Sequence, residues 1–294
     1  MKRTESIQTL GFFNVDKPSG LTSGVVVNKC KWLTGTPCGH MGTLDPLASG
    51  VLPVGVGNAA RLFDYFLNKQ KEYIAEFTFG VSSDTLDSTG ELTAMGHIPT
   101  QAEIESVFPS LQGDIMQMPP KYSAKNVNGK RGYELARAGV EFELTPKQVR
   151  VECVQCLGKS KKNENAYLFK IGCGGGTYIR SIARDMAAAL GTHAVMSALQ
   201  RTKSGVFTLE NAIPFSLLEQ DLPVRELEQY IIPTDSVLPY PTITLTQKQQ
   251  ARFFNGAPTA VDYPDGLYKL YAQDKFYGIV QVIAGNAKIK TKLC

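Results

Sequence analysis

The chain has 294 residues, 43% hydrophobic and 20% charged, with a net charge of +4; this core-forming composition excludes a disordered, coiled-coil or collagen-like protein. The length fits one large domain or two unequal ones. No apolar run reaches the ~20 residues of a membrane helix, and the opening MKRTESIQTL lacks a signal-peptide core, so the expected compartment is the cytosol. In chain order, GFFNV (11–15) reads as a strand and DKPSGLTS as a loop, with Ser23 capping a helix through VVVNKCKWL. PCGHMGTLDPLASG is a loop punctuated by Gly and Pro. AARLFDYFLN places Leu62, Phe63, Phe66 and Leu67 on one helical face, and YIAEFTFGV alternates like a strand. Residues 101–111 read as helix entered at Thr100, and GYELARAG as a short helix closed by Gly139. VRVECVQCLG and AYLFKIGC are strands joined by the polar hairpin KSKKNENA. TYIRSIARDMAAALG is a helix with a Gly stop, AVMSALQRT a further strand and SVLPYPT a linker. A short helix (QKQQARFFNG) and the strands YKLYAQ and KFYGIVQVI follow. There is no internal repeat and no regular βαβ alternation, so the expected class is α+β, with a small β-rich module beyond residue 240.

Six cysteines (Cys30, Cys38, Cys153, Cys156, Cys173, Cys294) are too sparse for a disulfide scaffold. Cys153 and Cys156 form one C-x-x-C, but the nearest further zinc ligands, Cys173 and His193, have no paired spacing. RVECVQC therefore reads as a strand with small inward residues. Charge is unevenly spread: residues 121–150 hold seven Lys/Arg against three Glu, and residues 241–294 hold seven Lys/Arg against three Asp. Two basic segments on an otherwise slightly acidic body suit a polyanion touching both, and ordinary solubilising lysines suit the numbers equally.

Several motifs are decoys. Gly55-Val56-Gly57-Asn58-Ala59-Ala60 matches G-x-G-x-x-A, but the preceding strand contains Pro53 and parallel βαβ units are missing. Gly172 and Gly174–Gly176 precede a helix without the G-K-[ST] of a phosphate loop. Asp84 and Asp87 resemble the start of a calcium loop whose twelfth position, Met95, cannot ligate.

Asp45 is the stronger candidate. It lies in GHMGTLDPLASG, where Pro46 disfavours helical geometry at Asp45 and glycines allow close ligand approach. On these residues alone an Asp-Pro turn is the simpler reading. Arg180, in the first turn of the TYIRSIARD helix, is a possible partner; an Arg within ~4–6 Å lowers an Asp pKa by roughly 1–3 units and keeps the carboxylate charged. A surface Arg paired with Asp185 or Glu210 is the plain alternative. Tyr73 and Tyr178 carry rings that can stack on an unstacked base or simply fill the core.

Together, GFFNVDKPSGLTS (11–23), GHMGTLDPLASGVLPVGVGNAARL (39–62), KEYIAEFTFGVSSDTLDSTG (71–90), MPPKYSAKNVNGKRGYELARAG (118–139), GGGTYIRSIARDMAAALG (174–191) and HAVMSALQRTKSGVF (193–207) resemble the TruB family of transfer-RNA pseudouridine synthases. The resemblance implies the α+β pseudouridine-synthase fold, with a central mixed sheet and an active-site cleft. It implies a catalytic domain at 1–238, with a mobile RNA-contacting insertion at 121–150, and a small PUA-like RNA-binding module at 239–294. The implied reaction converts uridine 55 in the transfer-RNA T loop to pseudouridine, in the cytosol, without metal, nucleotide or redox cofactor. Carried over by motif, Asp45 is the catalytic carboxylate, acting on base or ribose. Arg180 pairs with it, and Tyr73 stacks on the uracil and takes part in proton removal. Tyr178 and Leu199 enclose the base, His40 fills the space vacated in the T loop, and Lys17 and Pro18 support the catalytic loop. Transfer RNA is the implied partner, with no obligate protein partner and a monomeric enzyme. The chain departs from the family at Ala124-Lys125-Asn126, where Ala-Leu-Lys is more usual. Two alternatives stand beside this reading: an RNA-binding or RNA-folding module with secondary catalysis, and a guide-RNA-dependent relative.

Overall fold

The computed structural model describes residues 7, 10–67, 69–123, 126–127, 129–220, 222–272 and 275–293. Cys294, Ala124 and Lys125 lie outside them, as do the side chains of Leu67, Asn126, Val127, Lys130 and Arg131. Eight strands form the backbone of the main sheet: β1 (Gly11–Lys17), β2 (Ser49–Val56), β3 (Lys71–Phe79), β4 (Gly113–Gln117), β5 (Lys147–Lys159), β6 (Ala166–Cys173), β7 (Ala194–Ser204) and β8 (Ile213–Pro214). Their spatial order is β8-β1-β2-β7-β3-β6-β5-β4, with three short strands attached at the sides. β7 runs parallel to β2 and antiparallel to β3, and β1 parallel to β8, so the sheet is mixed.

Sequence alternation explains what each strand presents. In β3, KEYIAEFTF, burial alternates without a break, so Lys71, Tyr73, Ala75, Phe77 and Phe79 share the inward face. Two helices flank the sheet: α1 (Ser23–Thr34) and α2 (Ile179–Ala189). α2 buries Ile179, Ile182, Ala183 and Met186 against the sheet; its apolar positions recur at helical spacing. Thr100 caps the short helix Gln101–Ser106 through a capping box with Glu103.

Three expectations need correction. Thr22, not Ser23, caps α1, because the Ser23 hydroxyl is engaged by the backbone of Leu44. AARLFDYFLN begins inside a 3₁₀ segment, Gly57–Leu62, and only Phe63–Leu67 is α-helical. At Gly55 a Cβ would meet the Ala60 backbone nitrogen at 2.8 Å, so these glycines serve close backbone packing rather than a nucleotide. The linker SVLPYPT is an anchor as well: Val237 and Leu238 are buried in a second cluster with Phe12, Met41, Val51, Phe66 and Phe207.

The C-terminal module is a five-stranded sheet built from β9 (Thr242–Ile243), β10 (Thr259–Ala260), β11 (Gly266–Ala272), β12 (Lys275–Ile283) and β13 (Asn286–Lys292), in the order β9-β11-β12-β13-β10. β13 was not expected from the sequence. The module has its own core around Ile243, Leu245, Phe253, Leu270, Val280 and Val282. Ile279 and Leu293 reach across into the second cluster. No helix among the described residues is long and apolar enough to cross a membrane.

Candidate active site

A cleft of about 430 Å³ opens beside β3 and β7, within the ~300–1,000 Å³ range of small-molecule sites. His40, Asp45, Tyr73, Tyr178, Arg180 and Leu199 all line it, so the structure brings together every site residue expected from the sequence. They arrive from separate stretches of chain. His40 lies on a short strand paired with β2. Tyr73 and Leu199 stand on β3 and β7, and Tyr178 and Arg180 open α2.

Asp45 sits in a turn closed by the Ala48 amide donating to its carbonyl at 3.0 Å. The Asp-Pro turn and the candidate site are therefore the same object: the turn occupies the backbone, and the side chain is left to face the cleft. Gly42, at φ +141°, supplies a backbone geometry that side-chain-bearing residues rarely adopt. The ammonium of Lys17, fully buried, donates to the carbonyls of Pro18 (2.8 Å), Leu21 (2.7 Å) and Pro46 (3.4 Å). Burial holds its pKa down, at about 8. These bonds fix the loop from below.

Arg180 is the electrostatic centre. Its Nη2 lies 3.0 Å from Asp45 Oδ2, and its Nη1 3.3 Å from Asp87 Oδ2. The same guanidinium donates to the carbonyls of Thr85 and Tyr122, each at 3.0 Å. Asp185 pairs instead with Arg184, which removes the surface-arginine alternative. Arg180 does pull the Asp45 pKa down, as expected, but the net direction is the opposite. Burial outweighs the guanidinium, the nearby Asp87 charge adds to it, and the Asp45 carboxyl is held above its usual range.

Asp87 escapes the sequence reading as a site residue because its spacing suggests only a calcium loop. It is buried and accepts bonds from the Thr85 hydroxyl (2.8 Å), the Thr89 amide (3.0 Å) and the Thr89 hydroxyl (2.5 Å). The available signal is a carboxylate flanked by Thr at two residues on either side. Arg201 escapes it too; it is almost fully buried and lines the cleft with Lys71. Of the basic insertion, Lys147 lines the cleft mouth while Lys147–Arg150 already belongs to β5. The altered segment at Ala124-Lys125 falls outside the described residues. Among the described residues, no three His, Cys, Asp or Glu side chains converge as a metal site.

The family model described as "TruB family pseudouridylate synthase (N terminal domain)" matches residues 31–179, and that for the "tRNA pseudouridylate synthase B C-terminal domain" matches residues 180–239. This chain belongs to the TruB family. A Synechocystis sp. protein named tRNA pseudouridine synthase B is 40% identical, over 84% of this chain and 84% of its own. The Clostridioides difficile protein of the same name is 36% identical, over 94% of this chain and 95% of its own. Among solved structures, a chain of a Cbf5-Nop10-Gar1 complex is 25% identical, with a TM-score of 0.69, covering 97% of this chain and 85% of that chain. The family models end at residue 239, and the β sheet that follows is consistent with a PUA-like module.

Proposed function

We propose that this TruB protein is a transfer-RNA pseudouridine synthase that isomerises uridine 55 in the T loop, with Asp45 as the catalytic carboxylate and no cofactor. The observation that carries the reading is the Asp45 carboxylate, 3.0 Å from Arg180, at the wall of a cleft lined by Tyr73, Tyr178 and Leu199. The relatives named tRNA pseudouridine synthase B support the substrate class.

The reaction breaks the C1′–N1 bond, turns the base and joins C1′ to C5; the C5 proton leaves and N1 ends protonated. Atoms and electrons balance within the nucleotide. The uridine has to leave its stacked loop, which costs a few kcal/mol. Phosphate contacts from surface lysines such as the exposed Lys147 at the cleft offset this. Asp45 acts on the extruded base or its ribose, with its charge held by Arg180. The Tyr73 ring stacks on the uracil, Tyr178 and Leu199 close its sides, and His40 takes the space left in the T loop. The part of segment 121–150 that precedes β5 closes over the RNA as an insertion in a catalytic domain at 1–238, and the module at 239–294 adds RNA contacts. The enzyme works as a monomer in the cytosol without a protein partner.

The likeness to a chain of the Cbf5-Nop10-Gar1 complex favours a second reading, a subunit that acts only within a larger complex. One experiment separates the two. Purified protein is incubated with unmodified transfer-RNA transcript, and pseudouridine is mapped by position. The proposal expects modification at uridine 55 without added RNA or protein, and none with Asp45→Asn. Modification by Asp45→Asn, or activity only after adding partner components, overturns it.

A further inference from the structure

Arg201 is the largest side chain sealed inside the protein, 1% exposed, and among the described residues it forms no ion pair. A guanidinium brings five N–H donors and no acceptor. Burying it without a carboxylate is costly unless those donors are used. Here they are spent on the machinery of the cleft. Nε donates to the carbonyl of Val51 at 2.7 Å, Nη2 to that of Gly42 at 3.1 Å and Nη1 to that of Thr43 at 3.4 Å. The guanidinium also lies near enough to the Tyr73 phenol for its charge to favour the ionised form.

The sheet dictates this reach. Arg201 pairs with Tyr73 across β7 and β3, and with Gly50 across β7 and β2. Directly opposed residues share a face, so Arg201 lies beside Tyr73 by register. Its long stem then passes to the loop that ends in Asp45. At Gly50, φ is +97° and a Cβ would meet the Arg201 carbonyl oxygen at 2.3 Å; only glycine lets the two strands close to this distance.

From this geometry we propose that Arg201 is a positioning residue that fixes the Tyr73 hydroxyl and the Asp45 loop relative to each other. This rests on the pseudouridine-synthase reading for its kinetic consequence, but not for its structural one. Burial raises the Tyr73 phenol, to about 12, against the opposing pull of the Arg201 charge. Arg201 touches no reacting atom; it acts through the two groups it holds.

The test combines Arg201→Lys with Tyr73→Phe in a double-mutant cycle. Single-turnover pseudouridine formation and RNA affinity are measured for the wild type, both single variants and the double variant. Arg201→Lys is expected to slow the chemical step at least tenfold while RNA affinity changes less than about threefold. In the Tyr73→Phe background the same substitution is expected to have a clearly smaller effect, because half of what it positions is gone. Additive effects, or a rate loss matched by RNA affinity, overturn the proposal. If Arg201→Lys does not fold, amide hydrogen exchange on Tyr73→Phe decides. Losing the phenol is expected to speed exchange at Met41 and Leu44, whose amides donate to the Pro53 carbonyl and the Ser23 hydroxyl; unchanged exchange overturns the proposal. This arm needs no catalysis, so an inactive wild type would sink the functional reading and leave the positioning claim to be judged alone.

Discussion

Arg180 holds two carboxylates on one guanidinium, and this determines what its loss does. The Arg180–Asp87 pair is 6% exposed on both sides. Removing the cation leaves a buried charge uncompensated, which costs roughly 3–5 kcal/mol. Arg180→Ala is therefore expected to lower the urea midpoint accordingly and to abolish turnover, while RNA affinity, carried by surface lysines, falls much less; equal losses in rate and affinity would contradict this. For Asp45 the sign runs the other way. Its folded pKa lies above the ordinary carboxylate value, so ionisation of the native site opposes folding as pH rises from about 3.9 through the raised pKa. Asp45→Asn is expected to melt at or above the wild-type temperature at pH 7 while losing all activity; a clear drop in melting temperature would show that the charge stabilises the fold. The acid limb of the wild-type rate profile is expected to lie above the range of a free carboxylate. At this scale the family resemblance singles out Asp45, Tyr73 and Arg180, which the structure brings to one cleft, whereas each residue taken alone has a plainer reading. The sequence is silent on Asp87 and Arg201, whose partners are a remote arginine and main-chain carbonyls, neither of which leaves a spacing pattern.

Among the elements, β7 decides the geometry. It slots between β2 and β3, and only Gln200↔Ser49 and Arg201↔Gly50 register its parallel pairing with β2. Gly50→Ala would place a methyl against the Arg201 carbonyl. Overpacking of this kind costs roughly 1–3 kcal/mol, and the positive φ about 1–2 more. Thermal melting is expected to fall correspondingly, with turnover impaired in the fraction that remains folded; a melting temperature within a degree of wild type would refute the account. Alternation makes β3, β5 and β6 readable, and helical spacing makes α2 readable. Long-range order is not readable, because a pairing between residues 50 and 201 has no local signature. The cap of α1 is misplaced by one residue because Thr22 and Ser23 are both good caps, and tertiary bonding to Leu44 chooses between them.

On the scale of the whole molecule, the C-terminal module and the catalytic loop share a cluster: Leu293 and Ile279 pack with Met41, which lies just upstream of Asp45. Truncation after residue 238 is expected to lower the melting temperature and slow the chemical step as well as weaken RNA binding. It should also flatten the salt dependence of affinity, since every phosphate no longer neutralised takes roughly 0.7–0.9 off the log–log slope. A truncated protein with a wild-type single-turnover rate would show that the module is only an RNA handle.

The late insertion of β7 also bears on biosynthesis. A chain emerging from the ribosome carries residues 45 and 73 well before residues 194–204 appear, and until then two strands of the sheet lack the neighbour that joins them. Such non-local pairing closes slowly. The nascent polypeptide thus passes through an interval in which the acid and the ring exist but have no common frame, and that frame arrives only with β7, which ends at Ser204 of a 294-residue chain.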